Sequence, residues 1–221
     1  MAEPHAPGRS AGRQWSSTEG VRTAFLDAAR QVFAERGFAE ASVTEVVERA
    51  GASVGSLYHH FGSKTDLFMA MWERHHAEQQ AIAAAGVANA RKAGVTDPFD
   101  LFLAGSRAYL EATWSRRDVV KIFTVGDTPP AFQESQRRGG REWIGQNFRL
   151  LGADNDAVHR VLVFLMTSFM GEARREIAKT KSAKDARALV EAMIEVLQRM
   201  RPVLATDLTA TRVEGDDSSA R

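Results

Sequence analysis

"GASVGSLYHHFGSKTDL", residues 51–67, sets Gly51, Ser53, Gly55 and Ser56 close together and then presents Tyr58-His59-His60-Phe61. A core helix has no use for so much small sequence, whereas a surface that another molecule must approach closely does. Just upstream, Ser42-Val43-Thr44-Glu45 is a capping-box pattern that opens a helix ending at Ala50-Gly51. Ser53 can cap a second short helix that stops near Gly62. Gly51-Ala52-Ser53 is then the whole connection, which is the spacing of a helix-turn-helix. Val46, Val47, Ala50, Leu57 and Phe61 can pack beneath it, leaving Ser53, Val54, Gly55, Ser56, Tyr58 and His59 outward. In this motif the first residues of the second helix enter the DNA major groove. Small residues let the backbone come close, and the helix N–H groups favour phosphate.

Outward from this stretch the chain reads as helix, with no strand-like alternation and no internal repeat. Ser16-Ser17-Thr18-Glu19 is another capping box and Gly37 a helix stop, bracketing a first helix with Val21, Phe25, Ala28 and Val32 on one face. Ser63-Lys64-Thr65-Asp66 caps a fourth helix running to about Lys92, and Asp97-Pro98 starts a fifth. A short helix near 118–125 ends at Gly126, and the next ends at Leu151-Gly152. Two more are expected near 154–180 and, after Ser182, near 183–200. The expected fold is all-α: an N-terminal three-helix head over residues 16–68, joined by a connecting helix to a C-terminal helical bundle over 69–202. Residues 1–15 and 203–221, polar and without periodicity, are expected to be a flexible arm and tail. Arg9 and Arg13 of the arm are either disordered or able to reach a minor groove.

Composition narrows the classes. The 221 residues include no cysteine, which excludes disulfides and thiolate metal sites and fits a reducing cytoplasm. The N-terminus carries no apolar stretch of signal-peptide length, and the longest apolar run, residues 161–170, is interrupted by Thr167 and Ser168 and too short for a bilayer. Net charge is +1, and the first 70 residues hold seven Lys/Arg against eight Asp/Glu, so any case for nucleic acid rests on local geometry rather than bulk charge.

The residues also carry a resemblance. Thr44-Glu45-Val46-Val47, Ala50-Gly51-Ala52-Ser53, Leu57-Tyr58-His59-His60-Phe61 and Lys64-Thr65-Asp66-Leu67 are similar, in register, to the DNA-binding signature of TetR-type transcriptional regulators. The likeness covers residues 17–68. It implies a homodimer on a palindromic operator, most often a repressor, with a small effector bound in the bundle that releases the DNA. It also implies that Val54, Gly55, Ser56 and Tyr58 meet bases and adjacent backbone, and that Thr44, His60 and Lys64 contact phosphates. Val54 departs from the pattern, where a polar or basic residue is common. It can touch a thymine methyl but makes no bidentate base contact. Tyr58 either faces outward or leans on the head's core, and His59 is either a base reader or a solvent-facing edge residue.

In the bundle, residues 158–171 are apolar almost all round and the last helix is broadly apolar, so the two are expected to form a dimerisation surface, a buried protomer core being the alternative. An effector site is expected among Phe102, Tyr109, Trp114, Phe123, Trp143, Asn147, Phe148, Phe164 and Phe169, with Asn147, Thr124, Thr167 and His159 as its polar groups. For any one aromatic residue there, plain core is the stronger alternative to a pocket wall. No His-x-x-x-His pair, P-loop, Rossmann glycine pattern or nucleophile elbow occurs, so no metal, cofactor or catalytic site is expected. The rival reading is a helical small-molecule-binding or enzymatic protein without DNA recognition, favoured by the near-neutral head and Val54.

Overall fold

The computed structural model describes residues 11–201, with side-chain surroundings from residue 18 onward. Residues 1–10 of the expected arm, Arg9 included, and the expected tail lie outside the described residues. Within them the fold is all-α, with nine helices: α1 (Ala11–Glu40), α2 (Val43–Ala50), α3 (Val54–Phe61), α4 (Lys64–Lys92), α5 (Pro98–Ser115), α6 (Arg117–Thr124), α7 (Phe132–Leu151), α8 (Ala157–Lys179) and α9 (Ala183–Arg199).

Local chemistry accounts for most boundaries. Ser42, Ser53, Asp97, Asp156 and Ser182 each accept a backbone N–H of the first turn of the helix they precede, at α2, α3, α5, α8 and α9. The Ser63 hydroxyl does the same for α4, accepting from Asp66 N–H at 3.0 Å. α1 is the exception at its start. It begins at Ala11, ahead of the Ser16–Glu19 capping box and inside the expected arm. A capping box marks where a helix can begin, but with no proline between Pro7 and Ser16 none breaks the helix just upstream of it. At its other end Gly37 leaves helical geometry (φ 78°, ψ 175°), as its stop position implies.

The described chain divides into two compact units. The first runs through Arg74 and also takes in Val125–Pro129. Its core is built from Phe25, Ala29, Val32 and Phe33 of α1, Val46 and Val47 of α2, Leu57 and Phe61 of α3, and Leu67 and Phe68 of α4, all buried. Phe25 meets Phe61 edge-on at 6.0 Å, and Phe68 meets both Phe33 (5.4 Å) and Phe38 (5.3 Å). Truncating such a buried phenylalanine costs about 3–5 kcal/mol. The corner between α1 and α2 is held from two sides. The Asp127 carboxylate accepts the N–H groups of Phe38 (2.9 Å) and Ala39, and the Lys64 ammonium donates to the carbonyls of Phe38, Ala39 and Ala41 at 2.8–3.0 Å.

The second unit comprises His75–Thr124 and the chain from Pro130 on. α5 packs on α8 and α9 through Phe99, Phe102, Leu110, Val163, Met166, Ile177, Val190, Ile194 and Leu197. The C-terminal half of α4 lies against α5 at backbone distance. A Cβ on Gly86 would stand 2.8 Å from the Ala104 carbonyl oxygen and the Ala108 methyl, and one on Gly105 would stand 2.9 Å from Val87. The two helices run antiparallel, so each turn back along α4 advances one turn along α5. No described helix is long and apolar enough to cross a membrane.

Candidate nucleic-acid interface

The turn between α2 and α3 is built as its sequence requires. Gly51 sits at φ 64°, ψ 35°, a left-handed conformation that glycine adopts without the steric cost a Cβ imposes. The Gly51 and Ala52 N–H groups close the turn on the Glu48 and Val47 carbonyls at 3.2 and 3.0 Å. The chain therefore leaves α2 and enters α3 with Leu57 and Phe61 turned into the core and the opposite face free. On that face Ser53, Val54, Gly55, Tyr58 and His59 are exposed and Ser56 is half-buried. Val54 and Tyr58 are 41% and 47% exposed. A Cβ on Gly55 would meet only the Ser53 hydroxyl, at 4.0 Å, so the backbone of α3's first turn is open to approach.

The expected phosphate contacts divide. Thr44 is exposed in the first turn of α2. His60 is half-buried, its ring 6.0 Å from Phe25 and its carbonyl accepting from Arg22 at 3.5 Å, so it leans on the core while its edge stays accessible. Lys64 is engaged within the head. An ammonium has three N–H donors, and all three of Lys64's point at carbonyls of residues 38–41, while its Nζ lies 4.7 Å from the Phe38 ring centroid. Its charge holds the α1–α2 corner, and a phosphate contact would require breaking that anchor.

Other cations of the head are also engaged. Arg49 forms a two-pronged pair with Glu35 (2.8 and 2.6 Å) and reaches Glu45 at 2.6 Å, while Arg74 meets Asp27 at 2.7 Å. The hydrogen bond from Arg49 holds the Glu35 carboxyl below its ordinary value of 4.5, and Arg49 is itself pushed upward by the same bond. The face of α3 therefore presents hydroxyls, an exposed backbone, a phenol and an imidazole, with little charge of its own.

The second unit sorts the residues expected around an effector. Tyr109 and Trp143 meet at 5.4 Å, Phe123 stacks on Phe132 at 5.5 Å, and the Asn147 amide donates to the Thr167 hydroxyl at 2.9 Å. Phe102 is buried in the α5–α8–α9 core; Phe148, Phe169 and Trp114 are partly buried against it, and Arg117 stacks over Trp114 at 4.0 Å. Thr124 spends its hydroxyl on the Val120 carbonyl, and His159 is buried against its partner Asp156. Phe164 is not a pocket wall: it is 59% exposed, on the far side of α8 from the buried Val163 and Met166. The all-round apolar helix thus has two fates. Leu162, Val163, Met166 and Met170 fill the second unit's own core, whereas Val158, Val161, Phe164 and Leu165 face outward. On α9 Leu197 is likewise buried in that core, whereas Val196 is exposed.

Two residues that sequence reasoning passed over matter here. Asp127 anchors the α1–α2 corner although it is 88 residues from Ala39, a pairing no local pattern announces. Gln79 is a polar residue on the buried stripe of α4, four residues after buried His75, a signal that was available. Asp154, Asp156 and His159 form the group of metal-ligand type found among the described residues. One Asp156 oxygen accepts the Val158 and His159 N–H groups and the other engages the His159 ring, so that carboxylate is occupied in capping α8.

A capped helix-turn-helix with an open recognition face defines a DNA-binding regulator, and the comparisons with known proteins agree. The sequence pattern of the bacterial regulatory proteins, tetR family, matches residues 25–71. The repressor BepR of Brucella suis is 30% identical over 177 residues, covering 79% of this chain and 77% of BepR. The chain belongs to the TetR family of helix-turn-helix transcriptional regulators. The activator FasR of Mycolicibacterium smegmatis is 44% identical over 54 residues, a match spanning only 24% of this chain and 25% of FasR. Among solved structures, a SmeT–triclosan complex has a similar fold (TM-score 0.65, 18% identity, 81% of this chain and 90% of that one).

Proposed function

We propose that the protein is a homodimeric transcriptional repressor that binds an inverted-repeat operator through α3 and is released by a small, mostly apolar effector bound in its second unit. The observation that carries the DNA reading is the open first turn of α3, where exposed Ser53, Val54, Gly55 and Tyr58 stand above a core closed by Leu57 and Phe61. Ser56 and Tyr58 read base edges, Val54 meets a thymine methyl, and Thr44 and His60 meet phosphates. Lys64 supports this surface from behind.

Dimerisation is supported by the outward stripe Val158, Val161, Phe164 and Leu165, spaced three and four apart on α8. Contiguous apolar side chains of this size on a helix face mark a surface that buries itself against a partner. A two-fold pair of recognition helices then matches half-sites about 34–36 Å apart. Effector release is supported by the contact between buried Tyr109 and half-buried Trp143 and by the triclosan complex of a similarly folded protein. The motion is carried along α4, which starts directly after the recognition helix. Linkage requires DNA to weaken effector binding by the same factor as the effector weakens DNA binding, typically about 5- to 150-fold.

Selection of binding sites from random duplexes tests this reading. An inverted repeat with half-sites one helical turn apart is the expected product. Recovery of sequences without two-fold symmetry, or no enrichment, overturns it.

A further inference from the structure

Gln79 is 1% exposed, yet both its amide nitrogen and its carbonyl oxygen lack a hydrogen-bond partner among the described residues. Native interiors rarely leave even one such atom unpaired, because each buried polar atom without a partner forfeits its hydration for nothing. A glutamine with both ends unpaired is therefore a standing cost to the fold. The same helix position filled by leucine or methionine would avoid it, so the amide calls for a role outside the folded chain's own stability.

Its neighbourhood indicates what that role is. α4 and α5 are antiparallel, Ala83 lying against Gly105, Gly86 against Ala104 and Ala108, and Glu78 pairing with Arg116. This register sets Gln79 opposite the turn of α5 that carries Tyr109 and Thr113. Thr113 is fully buried and donates its hydroxyl hydrogen to the Tyr109 carbonyl at 3.1 Å, leaving an oxygen lone pair. Tyr109 faces Trp143, which is also 6.1 Å from His76 on the next position round α4. One turn before Gln79, buried His75 lies 5.6 Å from Phe123. Aromatic residues thus flank Gln79 along α4 and across from it on α5. The arginines of α5 and its C-cap are engaged elsewhere, Arg107 by Glu191 and Glu111 and Arg116 by Glu78.

We propose that Gln79 is the hydrogen-bonding anchor of the effector site in the second unit. The effector it selects is uncharged and largely aromatic or aliphatic, with a donor and an acceptor side by side, as in a carboxamide or lactam. This rests on the effector reading given above and narrows it to a chemical class. A group with both functions pairs with both ends of the glutamine at once. An anion would enter aromatic surroundings with no unengaged cation on α5, and a plain hydrocarbon would leave the amide as it is.

The test uses the full-length protein, its Gln79→Leu variant, and three probes of one shape: benzamide, acetophenone and benzoate. Affinities come from ligand-observed NMR titration, and thermal midpoints are measured without probe. The wild-type protein is expected to bind benzamide at least tenfold more tightly than acetophenone or benzoate, and Gln79→Leu to bind benzamide and acetophenone equally. Without probe, Gln79→Leu is expected to melt a few degrees higher, since it removes the unpaired amide. Equal binding of benzamide and acetophenone by the wild type, tightest binding of benzoate, or a lower midpoint for Gln79→Leu would each overturn the anchor while leaving an effector site standing. Failure of all three probes to bind either protein would overturn both the anchor and the effector reading.

Discussion

Two helices of this protein expose large apolar side chains, and they do so differently. On α3 Val54 and Tyr58 are separated by glycine and serine at the start of a helix whose N–H groups are partly free, so any partner must be approached closely and can itself be polar. On α8 Val158, Val161, Phe164 and Leu165 form a stripe along the first half of the helix, where the Asp156 carboxylate already accepts the Val158 and His159 N–H groups and side chains are what a partner can touch. The first surface suits a wet, hydroxyl- and phosphate-rich groove. The second suits another apolar helix. Exposure alone does not distinguish them; the small residues and the free backbone do.

The comparison breaks most readily on α8. Substituting both Val161 and Phe164 with glutamate should convert a dimer to monomers, because a charge in a dry interface goes unpaired. The dimer dissociation constant is expected to rise by at least about a hundredfold, the size of a lost interface hot spot. Sedimentation at micromolar concentration reads this directly, and unchanged sedimentation would remove the distinction between the faces. On α3 the expected loss is smaller and of another kind. Tyr58→Ala should weaken operator binding by about 1–3 kcal/mol and relax the sequence preference, leaving sedimentation untouched. Binding curves on the selected operator and on single-base variants check it.

Lys64 sharpens the contrast within the head. A phosphate-bound lysine lowers the slope of log affinity against log salt by about one when removed. Lys64→Met should leave that slope unchanged and instead lower the thermal stability of the head, since three carbonyls lose a charged donor. Salt titrations of operator binding beside a thermal melt separate the two roles. The smallest effect concerns acid. Glu35 titrates below its ordinary 4.5 in the folded protein because of Arg49, so its contribution is present above that pH and fades as pH falls through the lowered value. Arg49→Met should therefore make the protein slightly less tolerant of neutral pH and flatten its loss of stability on acidification, as followed by circular dichroism from pH 7 to 3.

What was legible in the sequence was whatever a few neighbouring residues decide. The N-caps at Ser42, Ser53, Ser63, Asp97 and Ser182, and the stops at Gly37, Gly51 and Gly152, act within one helical turn, so their chemistry is written locally and the structure repeats it. Even the start of α1 differs only because a local cap signal permits a helix end without enforcing one. Side chains whose partners are distant in the chain behaved otherwise. Lys64 stands where the resemblance implies a phosphate ligand, and only the folded corner at residues 38–41 brings three carbonyls onto its ammonium. Phe164 and Val163 are adjacent apolar residues, and only the packing of α5 against α8 decides that one is core and the other surface. Gln79 shares a helix face with His75 in the sequence, but only the folded packing strips its amide of water. Helix ends are set by bonds across three or four residues, and the sequence contains both partners. The fate of a long or polar side chain is set by which distant surface excludes water from it, and that exists only once the chain has folded.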